Sequence, residues 1–283
     1  MGLFLLASTP LLALNHQTDS VGKRDLTQEL SYQLTWQESL SKGKTPLWLT
    51  ANRYGLSSLK HTNGYLRASL MRPLQRDSAR RWGFGYGIDL ALPNGFTSQF
   101  VVQQAFVEAR WLHGVLTIGA KEQPMELKDN MLSSGSQTFG INARPIPQVR
   151  IALPEYWILP FTKSWLRLKG HIAYGKPTDD AWQRSFTEKQ NRYTEGTFYH
   201  SKAGYLMIGN PERNFPFSVE LGLEMACQFG GKSYLRDGNR MKETKSSNSL
   251  RSFWNAFFPG GTDVTDGNFI NAEGNQVGSW VAR

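Results

Sequence analysis

In the stretch from Phe217 to Phe229 every second residue is apolar, and the residues between them are small or polar. Strict alternation of this kind predicts a β-strand with one apolar and one polar face. The stretch is longer than most strands of soluble proteins, and it matches the length with which a tilted strand crosses a bilayer. Aromatic rings stand at both of its ends, where a membrane strand meets the lipid headgroups.

The same alternation recurs along the chain and predicts an all-β fold with antiparallel strands. About eight candidate strands cover residues 30–37, 64–70, 82–92, 100–111, 116–120, 166–174, 203–207 and 217–229. Residues 122–164 are rich in Pro, Ser and Asn and predict a long loop with a short extended piece at 148–152. Apolar residues spaced three and four apart between Leu250 and Phe258 predict a short amphipathic helix.

Composition limits the kind of protein. No run of about 20 apolar residues follows the N-terminus, which excludes a conventional transmembrane helix, whereas alternating strands escape such a test. The net charge of +9 predicts an anionic partner, and the absence of a basic recognition helix or zinc pattern argues against nucleic acid. The five histidines lack metal-ligand spacing, so we expect neither a metal nor another cofactor.

Both ends of the chain carry further signals. Residues 2–14 form an apolar run that is typical of a secretory signal peptide, so residues 1–20 are predicted to be a signal segment. The remainder, 21–283, is predicted to be a β-barrel domain. The chain stops in Gly278–Arg283, which reads as the start of another strand. Because a barrel in lipid has to close, we expect this chain to be about half of a larger barrel.

Several longer motifs point to one family. They are TPLWLTANRYGLSS at 45–58, LSSGSQTFGINARPIPQVRIALPEYW at 132–157, KGHIAYG at 169–175 followed by Thr178-Asp179-Asp180, HSKAG at 200–204, GLEMACQFGG at 222–231 and EGNQVGSW at 273–280. Together they resemble the Wzi capsule-assembly family over most of residues 30–283. The resemblance implies an outer-membrane barrel of about 18 strands. It also implies a monomeric, non-catalytic surface lectin that binds capsular polysaccharide and helps to hold it on the cell.

If the apolar faces contact lipid, the other faces carry charged residues into the lumen. Such charges commonly pair across strands and fix their register; a plug-docking surface or an anion path is the functional alternative. The lumen residues predicted in this way are Arg67, Asp89, Glu108, Arg110, Arg167, Lys169, Lys202, Glu220 and Glu224.

Sugar binding needs aromatic rings that stack on sugar faces, and amide or guanidinium groups that hydrogen-bond hydroxyls and carboxylates. Residues of these types, together with an acidic pair, lie in or directly after the family-like motifs. The polysaccharide-binding residues predicted on this basis are Asn52, Arg53, Tyr54, Asn142, Arg144, Trp157, Asp179 and Asp180.

Three other interpretations remain open from the sequence. A porin-like channel would use the same lumen charges. A barrel enzyme acting on lipid or glycan would use His171 beside Ser or Asn from a neighbouring strand. A soluble β-sandwich also has alternating strands, although its apolar faces would be buried.

Overall fold

The computed structural model describes residues 5–15 (backbone only), 26–27, 30–43, 47–74, 81–133, 136, 138, 140–178, 183–184, 187–210, 217–258 and 276–283. The chain forms two compact units. The first comprises Met1–Ser136 and Gly140–Pro145, and the second comprises Gln137–Phe139 and Ile146–Arg283.

The first unit is an antiparallel sheet in which each strand pairs with the next one along the chain. Its strands are β1 (Leu5–Asn15), β2 (Ser31–Leu40), β3 (Thr62–Arg72), β4 (Trp82–Asn94), β5 (Val101–Trp111) and β6 (Gly114–Ala120). Strand β1 falls within the predicted signal segment. It pairs with β2, with an irregularity next to Pro10, whose backbone has no N–H to donate. The signal peptide itself stays a prediction.

The register of this sheet confirms the alternation read from the sequence. Trp36, Leu66 and Leu92 lie opposite one another on one face, while Thr35, Arg67 and Ala91 lie on the other. On the first face the large apolar side chains are exposed. They are Tyr32, Trp36, Leu40, Leu66, Trp82, Ile88, Leu92, Val102, Val107, Trp111, Leu116 and Ile118. The opposite face buries polar residues, so the sheet has an exposed apolar face and a polar face with buried side chains.

Glycines of β4 lie on the polar face and allow close approach of neighbouring side chains. A Cβ added to Gly87 would meet the Phe106 ring at 2.8 Å, and one added to Gly85 would meet Glu108 Oε2 at 3.2 Å. The small residues therefore admit the side chains of β5 over the backbone of β4.

The second unit contains two antiparallel sheets and a helix. The larger sheet has the order β7 (Gln148–Ile158), β8 (Leu166–Gly175), β10 (Phe198–Ile208), β11 (Val219–Phe229) and β14 (Val277–Ala282). The smaller sheet pairs β12 (Lys232–Asp237) with β13 (Arg240–Lys245) and with β9 (Tyr193–Glu195). Helix α1 (Leu250–Phe257) follows β13, as the apolar spacing predicts, and Ser249 is its N-cap.

Two sequence predictions were wrong in extent. The long loop at 122–164 contains an eleven-residue strand, β7, instead of a short extended piece. The register of β7 with β8 is irregular between Leu153 and Trp157, which flank Pro154, and this irregularity interrupts the alternation. The hairpin β12–β13 was missed because neither of its faces is consistently apolar: Tyr234, Leu235 and Met241 are scattered among polar and charged residues.

Within the described residues, the outer strands of each sheet do not pair with each other, so neither unit closes into a barrel. The structure thus shows a mostly-β protein built of antiparallel sheets and a short helix. No helix in the described part of the chain combines the length and the apolarity needed to cross a membrane.

Candidate functional site

A loop that follows the 3-10 turn Leu47–Thr50 forms one part of a polar site in the first unit. Asn52 and Tyr54 have φ angles of 58° and 49°, and Gly55 has a φ of 71°. Asn and Gly tolerate this left-handed region, whereas a tyrosine adopts it only when its surroundings hold it there. The backbone of this loop is therefore fixed by its contacts.

Those contacts come from the segment around Asn142. Asn142 Oδ1 accepts a hydrogen bond from Asn52 N at 2.7 Å, and the Ile141 carbonyl accepts one from Tyr54 N at 2.5 Å. The Asn52 side chain donates to the Ser133 carbonyl at 2.9 Å. A Cβ on Gly55 would lie 2.7 Å from the backbone nitrogen of Arg144. The structure thus brings Asn52, Tyr54, Asn142 and Arg144 together, as binding at one site requires.

Two atoms at this loop retain hydrogen-bonding capacity. Arg144 Nε and Asn52 Oδ1 are buried and have no hydrogen-bond partner among the described residues. Burial lowers the pKa of the Arg144 guanidinium. Burial, and secondarily the Glu122 carboxylate, raise the pKa of the Tyr54 hydroxyl, which therefore stays a neutral donor. Arg53, which lies between Asn52 and Tyr54 in the chain, is exposed.

A buried polar network connects the loop to the sheet. Gln103 Nε2 donates to the Tyr54 carbonyl at 3.0 Å and to Glu122 Oε1 at 2.9 Å. Arg67 Nη2 donates to the same Glu122 oxygen at 2.9 Å, and Arg67 Nε donates to Asp89 Oδ1 at 2.9 Å. Gln104 completes the network. Its amide donates to Asp89 Oδ2 at 3.1 Å, and its carbonyl accepts from Glu122 N at 2.9 Å.

A β-bulge explains why two consecutive glutamines reach this network. The register of β4 and β5 shifts between Asp89 and Leu90, and Gln103 is the extra residue on β5. A bulge of this kind turns the extra residue toward the face of its neighbour, here the face of Gln104. Gln103 and Asp89 are both fully buried. Periodicity alone had identified Arg67 and Asp89, but it missed Gln103, Gln104 and Glu122.

The network lines a cleft of about 330 Å³ on the polar face. The carboxylates of Asp89 and Glu122 share the guanidinium of Arg67, so these three side chains carry a formal charge of −1. Because the ion pairs are partly or fully buried, removing one partner is expected to destabilise the fold. The cleft is lined by Gln33, Thr35, Arg67, Ser69, Met71, Asp89, Gln104 and Glu122.

Two other predicted lumen residues of the first unit also lie on the polar face. Glu108 accepts from Lys121 Nζ at 2.6 Å and from the Thr117 hydroxyl at 3.0 Å. Arg110 lies opposite Gly83 in the same register.

In the second unit the predicted lumen residues interact across strands. Glu224 is buried and accepts from the Tyr205 hydroxyl at 2.8 Å and from Thr138 at 3.1 Å. Glu220 accepts from the Tyr156 hydroxyl at 3.2 Å. The ammonium of Lys169 lies 4.7 Å from the Tyr156 ring centroid and 5.3 Å from that of Tyr205. Arg167 is opposite Met207 on this polar face.

Lys202 departs from the prediction. It lies opposite Ile172 and Met225, and therefore on the apolar face of the sheet. Its ammonium donates to the Phe257 carbonyl at the C-terminal end of α1. The physical reason is the favourable interaction of a cation with the last carbonyls of a helix.

The other residues predicted to bind polysaccharide either lie in the second unit or fall outside the described residues. Trp157 lies opposite Leu168 on the apolar face of the second unit. Asp179 and Asp180 lie outside the described residues. His171 Nε2 is 3.3 Å from Ser201 Oγ, which brings together the two residue types that the enzyme interpretation requires.

Comparison with protein-family models, curated proteins and solved structures gives no match for this chain. The likeness to the Wzi family therefore remains an inference from the motifs.

Proposed function

We propose that this chain forms part of the wall of an outer-membrane β-barrel that binds capsular or other surface polysaccharide and helps to attach it to the cell. The observation that carries the proposal is the polarity of the first unit's sheet. Its large apolar residues are exposed, whereas Asp89, Gln103 and Glu108 are buried on the opposite face. Water disfavours this arrangement, whereas lipid outside a polar lumen favours it.

The dimensions of the apolar face also fit a bilayer. The run from Trp82 to Leu92 is about 33 Å long at about 3.3 Å per residue, and at a tilt of about 40° it rises about 25 Å, the height of a barrel's apolar band. Trp82 stacks on Trp111 at one end of this band, with ring centroids 5.8 Å apart, and Trp36 lies near the other end. Indole rings at both ends of an apolar band are typical of membrane interfaces.

The extent of the face supports the same environment. Five strands, each about 4.8 Å wide and about 33 Å long, cover roughly 800 Å² of projected surface. That exceeds the roughly 300–600 Å² of the largest apolar patches on soluble monomers. An uncovered patch of this size favours a lipid environment over the soluble sandwich considered above.

The polysaccharide-binding role is supported by the loop at Asn52. The exposed Arg53 lies between Asn52 and Tyr54 in the chain, and hydrogen bonds from the backbone of these two neighbours to Asn142 and Ile141 fix the loop. A preformed site spends little binding energy on ordering its groups. The guanidinium and the net charge of +9 favour acidic sugars.

Arg53→Gln tests this role because Arg53 is exposed and its loss leaves the fold intact. We expect the variant to bind acidic polysaccharide about tenfold more weakly, the effect of one charge-assisted hydrogen bond. Binding is measured on the full chain in detergent micelles with an acidic and a neutral polysaccharide. Lys60→Gln, an exposed residue of the same loop region, removes the same charge and is the control. Equal losses in the two variants would leave only a nonspecific charge effect and refute the site.

The contact between His171 and Ser201 supports a second candidate, a barrel enzyme that cleaves lipid or glycan esters. The imidazole would act as general base toward the Ser201 hydroxyl. Ester hydrolysis by the wild-type chain that is lost in both Ser201→Ala and His171→Ala would establish it. Absence of turnover in the wild type would dismiss it.

A further inference from the structure

Helix α1 is fixed on the apolar face of the second unit's larger sheet by side chains that bond its carbonyl groups. The Tyr174 hydroxyl donates to the Phe253 carbonyl at 2.9 Å, and Gln276 Nε2 donates to the Ala256 carbonyl at 2.5 Å. The Lys202 ammonium donates to the next carbonyl, that of Phe257. The last carbonyls of a helix, here those of Ala256 and Phe257, lack partners within it, so Gln276 and Lys202 hold this end of α1, and Tyr174 adds a bond about one turn earlier.

One side of the helix packs into an aromatic cluster. The Phe253 ring lies 5.0 Å from the Phe229 ring, 5.2 Å from that of Phe198 and 5.5 Å from that of Tyr174, measured between centroids. Ala256 is completely buried against the same cluster. This packing sets the rotation of the helix about its axis.

The opposite side of the helix presents an exposed apolar stripe. Leu250 is 90% exposed, Trp254 is 64% exposed and Phe258 is 51% exposed. They are four residues apart, so they form one row along the helix. The rings of Trp254 and Phe258 lie 4.9 Å apart. Three large apolar residues in one exposed row indicate a surface that another apolar phase covers.

Basic residues accompany this stripe. Residues 232–258 hold six basic and two acidic side chains, a net charge of +4 within 27 residues, out of +9 for the whole chain. Arg251 lies in the first turn of α1, where a cation opposes the helix dipole. Helix stability therefore does not account for Arg251, whereas attraction to an anionic surface does. An amphipathic helix with an aromatic row and flanking cations is suited to the interface of an anionic bilayer.

We infer that α1 is an interfacial anchor whose row of Leu250, Trp254 and Phe258 inserts into the headgroup region of an anionic lipid bilayer, with Arg251 and the basic β12–β13 hairpin at the lipid phosphates. The inference rests on the membrane location proposed above and is independent of polysaccharide binding. It places the exposed row in the same bilayer as the exposed apolar residues of the sheet face to which the helix is attached, at the level of the headgroups.

The test uses the full chain reconstituted into vesicles of phosphatidylcholine alone or mixed with phosphatidylglycerol. A polarity-sensitive fluorophore is attached at Leu250→Cys, and at Met131→Cys as a control, since Met131 is 87% exposed in a loop of the first unit. Cys227 is buried, so the wild-type chain measures background labelling. We expect a nitroxide on the lipid headgroup to quench the Leu250→Cys probe, and iodide in the water to quench the Met131→Cys probe.

In mixed vesicles we expect Arg251→Gln, introduced into the labelled Leu250→Cys chain, to lower the ratio of lipid-shielded to water-exposed probe about fivefold. This is the change in binding that corresponds to the attraction of one basic residue to an anionic surface. A second variant, Trp254→Ser, should lower that ratio about tenfold. A Leu250→Cys probe that iodide quenches in both vesicle types would overturn the inference. So would shielding without vesicles, or equal shielding in both lipid compositions.

Alkaline extraction of the same vesicles separates this inference from the proposed location. If alkali extracts the chain from vesicles in which its probe was lipid-shielded before the extraction, the anchor is supported and the spanning sheet is refuted. A chain that resists extraction while its probe stays in water refutes the anchor alone.

Discussion

Removing the Asp89 carboxylate tests the buried ion pair that organises the first unit. Asp89 is fully buried. The single N–H of Arg67 Nε is shared between the two carboxylate oxygens of Asp89 at N···O distances of 2.9 and 3.0 Å, Arg67 Nη2 donates to Oδ2, and Gln104 donates to Oδ2 at 3.1 Å. Breaking such a pair from one side costs about 3–5 kcal/mol, because the remaining charge stays buried without its partner. In Asp89→Ala, however, Arg67 keeps its 2.9 Å contact with Glu122. We therefore expect a loss of about 3 kcal/mol, at the lower end of that range.

The opposite change should cost more. Arg67→Met leaves both Asp89 and Glu122 without the cation that they share, so we expect at least about 4 kcal/mol. Replacing both members of the pair with apolar residues, in Arg67→Met/Asp89→Leu, should recover part of this loss, because no buried charge of the pair is left unmatched. We expect Asp89→Ala to be more stable than Arg67→Met, because Arg67 still has Glu122 as a partner when Asp89 is removed. In a simple ion pair the two variants would lose similar stability.

The measurement is urea unfolding of the full chain in detergent, followed by tryptophan emission. Asp237→Ala, at the exposed turn of the hairpin β12–β13, is the control and should change the free energy of unfolding by less than about 0.5 kcal/mol. A loss below about 1 kcal/mol for Asp89→Ala would mean that water reaches the pair, and would refute the argument from burial.

Two further changes test the loop and the aromatic end of the sheet. In Gly55→Ala a residue with positive φ gains a Cβ that lies 2.7 Å from the Arg144 nitrogen, so the free energy of unfolding should fall by about 2 kcal/mol. Gly43→Ala is the control, because its φ is also positive but its Cβ meets nothing within 4 Å, and it should cost less. Equal urea midpoints for the two variants would contradict the close approach at Gly55. The rings of Trp82 and Trp111 stack at 5.8 Å, so a double-mutant cycle to alanine should give a coupling energy of about 0.5–1.5 kcal/mol, and a value near zero would show that the rings act independently.

Most strands and their faces were predictable because apolar and polar residues alternate along them, and this alternation can be recognised in the sequence. Arg67 and Asp89 break an otherwise apolar pattern, and the register confirms their common face. Around Lys202 the alternation assigned the faces wrongly. Tyr205 and Met207 lie on the polar face, opposite Lys169 and Arg167, and the lysine takes the apolar face because a helix terminus attracts its charge.

The site was only partly predictable, for a physical reason. The motifs show that Asn52 and Asn142 have similar hydrogen-bonding groups, but the sequence does not show that the two residues bond to each other. That contact is seen only once the chain is folded. The bulge at Gln103 depends on a register shift between two strands, which no local pattern encodes. Glu122 lies just after β6, where the sequence indicates only the start of a loop.

The bulge also has a consequence for assembly of the sheet. Sliding β5 past β4 by two residues would preserve which side faces outward, so hydrophobicity alone does not forbid it. Such a slip would place Phe106 or an aliphatic neighbour opposite Asp89 in place of Gln104, so the carboxylate would lose the Gln104 hydrogen bond and keep only those from Arg67. The bulge therefore helps to fix the register of β4 and β5, because only the correct pairing makes the hydrogen bond between Gln104 and Asp89.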